Sequence, residues 1–220
     1  MILTATRLRP SLLRTLRRNE RGATAVEFAL IGLLLFSVSF GIIDFGLAYW
    51  QWVMAEKATQ VGVRKAVVSN VVAKGLATWP INNGGTSGNG TPCMTGTTII
   101  TDCSFSPVTC TSNAAGTTIT CSCPATPCPK GTPTASDFTA IVAEMQKMDP
   151  YIANNNVQIT YSQNGLGFVG RPNGLPVTVT VTLTGMTFKF LVIDKLLFFG
   201  GTFSMPPFNA TLTGEDLSST

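Results

Sequence analysis

Histidine is absent from the 220 residues, and that absence narrows the chemistry open to this chain. No serine or cysteine nucleophile can have an imidazole base beside it, and no imidazole can ligate a metal. The reactive side chains that stand out are six cysteines, Cys93, Cys103, Cys110, Cys121, Cys123 and Cys128. An even number of cysteines in a loop-rich stretch reads as a disulfide framework, with the pairing left open. Zinc is the alternative, but the spacings Cys121-x-Cys123 and Cys123-x4-Cys128 do not form paired C-x-x-C knuckles. Gly165, Gly167 and Gly170 match G-x-G-x-x-G, yet Arg171-Pro172-Asn173-Gly174 follows as a turn. A phosphate loop needs the helix N-terminus that is missing there, so a glycine-rich hairpin loop is expected. Asn89-Gly90-Thr91 and Asn209-Ala210-Thr211 match the glycosylation acceptor, as chance allows in a Thr-rich chain. These observations lead to the expectation of a protein that is not an enzyme and holds no cofactor and no metal.

The remaining residue of chemical interest is Glu27, because of where it lies. Residues 28–43 carry no charge, and the apolar character runs from Ala23 to Trp50, broken only by Glu27 and Asp44. As a helix this stretch spans about 42 Å, enough for a hydrocarbon core of ~30 Å. Tyr49, Trp50 and Trp52 stand where an aromatic belt would lie. Residues 1–22 hold Arg7, Arg9, Arg14, Arg17, Arg18 and Arg21 against Glu20, a charge of +5, whereas the other 198 residues hold nine bases and ten acids. The overall +4 is therefore a basic head on a nearly neutral body, which gives nucleic acid no basic surface to bind. The positive-inside rule puts the head in the cytoplasm and the rest outside. A buried core helix and a cleavable secretory signal are the alternatives; Glu27 inside the apolar run is awkward for a signal. A carboxylate there is costly and usually has a partner, although one turn into the helix it can also snorkel to the interface. Asp44, about 25 Å further along, is expected to reach the outer headgroups and be solvated.

The stretch RGATAVEFALIGLLLF, residues 21–36, resembles the class III signal of type IV pilins and pseudopilins. It is most similar to the TadE family of the tight-adherence (Flp) pilus system. The resemblance implies that a membrane aspartyl prepilin peptidase cuts between Gly22 and Ala23, leaving Glu27 at the fifth position of the mature helix. It implies roles in assembly for Glu27 and for Phe28, which stands where major Flp pilins often have tyrosine. Glycine lets backbone enter a peptidase cleft closely and in extended form. The carboxylate of Glu27 can neutralise the new ammonium of a neighbouring subunit. The ending FKFLVIDKLLFFGGTF, residues 188–203, resembles the strand–apolar–Gly-Gly–strand tail of TadE-like proteins. The chain is too long for a major Flp pilin, so the resemblance implies a minor pilin or pseudopilin. Its partners would be the lipid bilayer, the prepilin peptidase and other pilins. It would be a single-pass protein of the bacterial inner membrane with its C-terminal part periplasmic, possible also in the fibre. An uncleaved anchored binding module or adhesin is the alternative.

The expected fold class is α+β. A leader at 1–22 precedes a transmembrane helix at 23–52 and its external continuation at 53–79, where Val53, Val61, Val68, Val71, Val72 and Leu76 recur at helical spacings. Residues 80–135 contain 14 Thr, 7 Gly and 7 Pro, so they read as a long loop, ordered by cross-links rather than burial. This insertion lies outside the resemblance. Residues 136–220 form the external domain. A helix over 134–148 is capped by Thr134 or Ser136, shows Phe138, Ile141, Val142, Met145 and Met148 on one face, and stops at Asp149-Pro150. Residues 157–161 read as a strand, and Val177, Val179, Val181 and Leu183 alternate with threonines as a half-buried one. Residues 186–192, 202–205 and 208–213 are expected to complete an antiparallel sheet. The apolar run 191–199, interrupted by Asp194-Lys195, is too short to span a bilayer and is expected to pack on the long helix or touch the membrane surface.

Overall fold

The computed structural model describes residues 20–79, 87–192 and 202–214, with side chains from Gly22 onward. Nearly all of the arginine leader, the start of the cysteine-rich stretch and the run beyond Val192 with Asp194-Lys195 lie outside the described residues. The chain divides into two compact units, one of Met1–Leu47 with Phe190–Gly201, the other of Ala48–Lys189 with Thr202–Thr220. The fold is α+β, as expected.

Helix α1 runs through Glu20–Val67, 48 residues. In the first unit its apolar side chains face outward: Phe28, Leu34 and Ile42 are 78%, 67% and 69% exposed. This is a helix long and apolar enough to cross a membrane. The hydroxyls of Ser37 and Ser39 donate back to the Leu34 and Leu35 carbonyls at 2.8 Å, so neither is left unbonded on an apolar surface.

In the second unit the same helix becomes a packing element. Gln51, Ala55, Ala58, Thr59, Val63 and Ala66 are buried, one face at spacings of three and four. This is not the valine face read from the sequence: Val53 and Val61 are only half-buried and Val68 is exposed. The buried face is made of small residues because its neighbours come close. A Cβ on Gly62 would lie 2.7 Å from Met145 Cγ and Sδ. The helix also stops earlier than expected, at Val67 instead of the high seventies. The Ser69 hydroxyl takes up the Lys65 carbonyl at 2.7 Å, and Val71 and Val72 bury after the break. A short 3-10 turn, Lys74–Thr78, follows.

The cysteine-rich stretch holds four strands, a correction to its reading as loop. β1 (Met94–Thr95) and β2 (Thr98–Ile99) form a small hairpin, and β3 (Val108–Ser112) and β4 (Ile119–Ser122) a larger one. Helix α2 (Ala135–Gln146) comes next, buried through Phe138, Ile141, Val142 and Met145. Thr134 stands at its N-cap without a side-chain cap bond, and Met148 lies past its end, 40% exposed. Strands β5 (Val157–Gln163), β6 (Val177–Leu183), β7 (Thr187–Lys189), β8 (Thr202–Ser204) and β9 (Phe208–Gly214) complete the described chain. The five-stranded sheet has the order β4-β3-β5-β6-β9, with every neighbouring pair antiparallel. β7 and β8, expected in the same sheet, pair with each other instead.

Register explains the alternation. Cys121, Cys110, Ile159, Val181 and Ala210 stand opposite one another in a row on the core face. Ser122, Thr109, Thr160, Thr180 and Thr211 form the neighbouring row on the other, solvated face. Hydroxyl contacts across strands support that second row, Thr109 to Thr160 at 3.2 Å and Thr180 to Thr211 at 2.9 Å. A smaller apolar cluster of Cys93, Cys103, Val169 and Leu175 is backed by Trp79, Ile99 and Ile100.

One buried hydrogen bond ties the sheet to the segment after α1. The Val72 N–H donates to the Tyr161 hydroxyl at 3.2 Å, and Tyr161 is fully buried. Desolvation pushes that phenol well above its ordinary range, against a smaller lowering from the Val72 bond. Tyr161→Phe keeps the ring and strands the Val72 N–H, so it should cost about 1–3 kcal/mol in urea unfolding. An unchanged midpoint would show that the hydroxyl contributes nothing.

Candidate functional site

The residues around the expected cleavage point lie on α1, close to the first described residues. Gly22, Ala23, Glu27 and Phe28 are all helical and solvent-exposed. A Cβ on Gly22 would meet nothing within 4 Å, so the fold places no demand on this glycine. Gly22 and Ala23 both lie within the described part of α1 (Glu20–Val67). Ala23 and Glu27 are four residues apart, one helical turn and about 6 Å along the axis, on the same face. An amine on Ala23 and the Glu27 carboxylate would therefore lie close together at the tip of an exposed apolar rod.

All six cysteines are paired, as Cys93–Cys103, Cys110–Cys121 and Cys123–Cys128, and none is free. The second pair joins residues directly opposite each other on β3 and β4. The first sits inside the smaller apolar cluster. Thiol labelling of denatured, unreduced protein should find no free thiols. Cys110→Ala with Cys121→Ala should lower stability by about 3 kcal/mol, the order expected for so short a closed loop. Six reactive thiols in protein from its native compartment would contradict both pairing and topology.

The G-x-G-x-x-G stretch is a loop, as expected. Gly165, Gly167 and Gly170 have φ of 76°, 94° and 80°, left-handed values that favour glycine. Its backbone pairs with the cysteine-rich stretch: Cys93 N–H donates to the Gly167 carbonyl at 3.0 Å and Gly90 N–H to that of Val169 at 2.8 Å. The amides and carbonyls of this loop thus serve the fold.

Two acids differ from what their sequence context suggests. Asp44, expected to be solvated, is fully buried. Its carboxylate accepts from the Leu191 N–H at 3.3 Å and the Val192 N–H at 3.0 Å. The sequence signal was present, an acid within an apolar run, but its donors lie 147 and 148 residues away. Asp149, three residues past the end of α2, is 2% exposed. Its Oδ1 accepts the Tyr151 N–H at 3.0 Å, whereas Oδ2 has no hydrogen-bond partner among the described residues. Burial raises this carboxyl above its usual range, and the Tyr151 bond only partly offsets that. A raised folded-state pKa means that the native state binds the proton more tightly than the unfolded chain. The stabilising contribution is complete below the unfolded value, about 3.9, and is lost as pH rises through the folded one. Asp149→Asn should therefore raise stability near neutral pH and flatten its fall from acidic to neutral pH. An unchanged pH profile in the variant would mean that the carboxyl is not desolvated.

Comparison with known proteins gives one positive finding. Residues 22–64 match the family model described as TadE-like protein, a stretch that contains Gly22, Ala23, Glu27, Phe28 and Asp44 and stops before the cysteine-rich segment. No curated protein and no solved structure matches the chain. The exposed apolar helix that holds Gly22 and Glu27 is thus the part that carries the relationship: over residues 22–64 this chain is similar to the TadE-like family.

Proposed function

We propose that the chain is a minor pilin or pseudopilin that takes part in assembling a Flp-type pilus used in adhesion or secretion. The observation that carries this reading is the family match over residues 22–64, lying on a helix whose apolar side chains are uncovered. The leader is cytoplasmic and the helix crosses the inner membrane. The disulfide-bonded α+β unit then lies on the periplasmic side, where disulfides persist. The prepilin peptidase removes residues 1–22, so the protein is the substrate of an enzyme and not itself a catalyst. The apolar helix then packs among the helices of other pilins, and Glu27 pairs with a neighbour's new ammonium. Deleting the gene in the native host and counting surface fibres by electron microscopy tests the proposal. Fibres should vanish or fall sharply and return on complementation; normal piliation would refute it.

A further inference from the structure

Asp44 stands 22 residues beyond Gly22, about 33 Å along the helix axis. It is therefore near the far boundary of a hydrocarbon core ~30 Å thick. Its neighbours on the helix are exposed and apolar: Ile42 69%, Ile43 54% and Phe45 63%. Asp44 alone on this turn is fully buried, covered by the segment that follows β7. Among the described residues, Oδ1 accepts from the Leu191 N–H and Oδ2 from the Val192 N–H. The Phe190 ring meets Phe45 edge-on, with centroids 5.6 Å apart. Leu191 is left 61% exposed.

These contacts solve two problems at once. A carboxylate at the edge of the hydrocarbon is expensive unless hydrogen-bonded. Backbone N–H groups that are not in a helix or strand cannot be left open at that depth. Asp44 and the two amides satisfy each other, and what remains on the outside is Leu191 beside the exposed apolar surface of the helix. We propose that residues 190–192 are a second membrane-contacting element, clamped to the membrane helix by Asp44, and that Leu191 meets lipid acyl chains at the interface. Its apolar surface continues the lipid-facing surface of α1, which identifies lipid as the occupant. The proposal rests on the reading of α1 as a membrane helix.

The full-length protein, reconstituted in phosphatidylcholine–phosphatidylglycerol vesicles, allows a direct test. A nitroxide on Leu191→Cys can be attached selectively because the native cysteines are paired. Collision of the label with oxygen, which partitions into lipid, is compared with collision with a water-soluble nickel chelate. Leu34→Cys serves as the lipid reference and Thr213→Cys as the water reference. The oxygen-to-nickel ratio at position 191 should lie well above that at 213. Asp44→Ala should bring it down to the value at 213, and Asp44→Asn, which keeps one acceptor oxygen, should lower it less. A water-like ratio at 191 with a lipid-like ratio at 34 overturns the inference and leaves the membrane reading standing. A water-like ratio at 34 as well overturns both. A label at 191 shielded from both reagents would mean that protein covers it, and an unchanged ratio in Asp44→Ala would remove the clamp; either result overturns the proposal as stated.

Discussion

Glu27→Ala should still insert, still be processed and still fold its disulfide-bonded unit, yet fail to join partner pilins. Glu27 is exposed on α1, so no packing among the described residues depends on it. Removing a charge from an apolar helix makes insertion easier, if it changes it at all. The loss falls on assembly, where the carboxylate pairs with the ammonium of a neighbouring mature subunit. Close charge pairs across interfaces couple by about 1.5 kcal/mol or more, so co-assembly should drop at least about tenfold. Crosslinking to co-expressed pilins, with membrane fractionation as the control for insertion, measures this. Glu27→Gln should resemble Glu27→Ala, because it is the charge that matters. Normal assembly by either variant would leave the carboxylate merely reaching for the interface and would remove the main physical reason for the pilin reading.

Gly22→Val should block processing completely and leave the fold intact. A Cβ at position 22 meets nothing within 4 Å, so valine has open space among the described residues. What valine does change is the backbone: its branched Cβ restricts χ1 and crowds close approach to a peptidase cleft, where glycine adds no bulk. Co-expressed with the cognate peptidase, the variant should run about 2.4 kDa heavier than the wild type, taking ~110 Da for each leader residue. Equal sizes, with the wild type shown to be cut, would mean that glycine is not required at the site.

Much of the architecture was legible because it rests on local periodicity. The threonine–valine alternation of β6 and the apolar spacing of α2 appear in the structure at nearly the expected bounds. Failures came where partners are remote or small. β3 is masked in the sequence because Val108-Thr109-Cys110-Thr111 sits among glycines, prolines and threonines; its signal is its own alternation, with Val108 and Cys110 buried. Hydrophobicity ranks valine above alanine and so points to a valine face for the packing side of α1. Close approach across Gly62 selects small residues instead. Valines continue past Val67 and extend the helical pattern in the sequence, but Val71 and Val72 bury in a different conformation. The burial of Asp44 is signalled only by an acid standing in an apolar run, because the amides that donate to it lie 147 and 148 residues away. The N-terminal site, by contrast, is a matter of composition and spacing within one helix, and the family match covers that same helix.

N-terminal sequencing of the protein purified from native membranes tests the central claim most directly. Cleavage by the prepilin peptidase gives a chain that begins Ala23-Thr24-Ala25-Val26-Glu27. A chain that still carries its arginine leader, in cells shown to contain the active peptidase, would contradict the pilin reading.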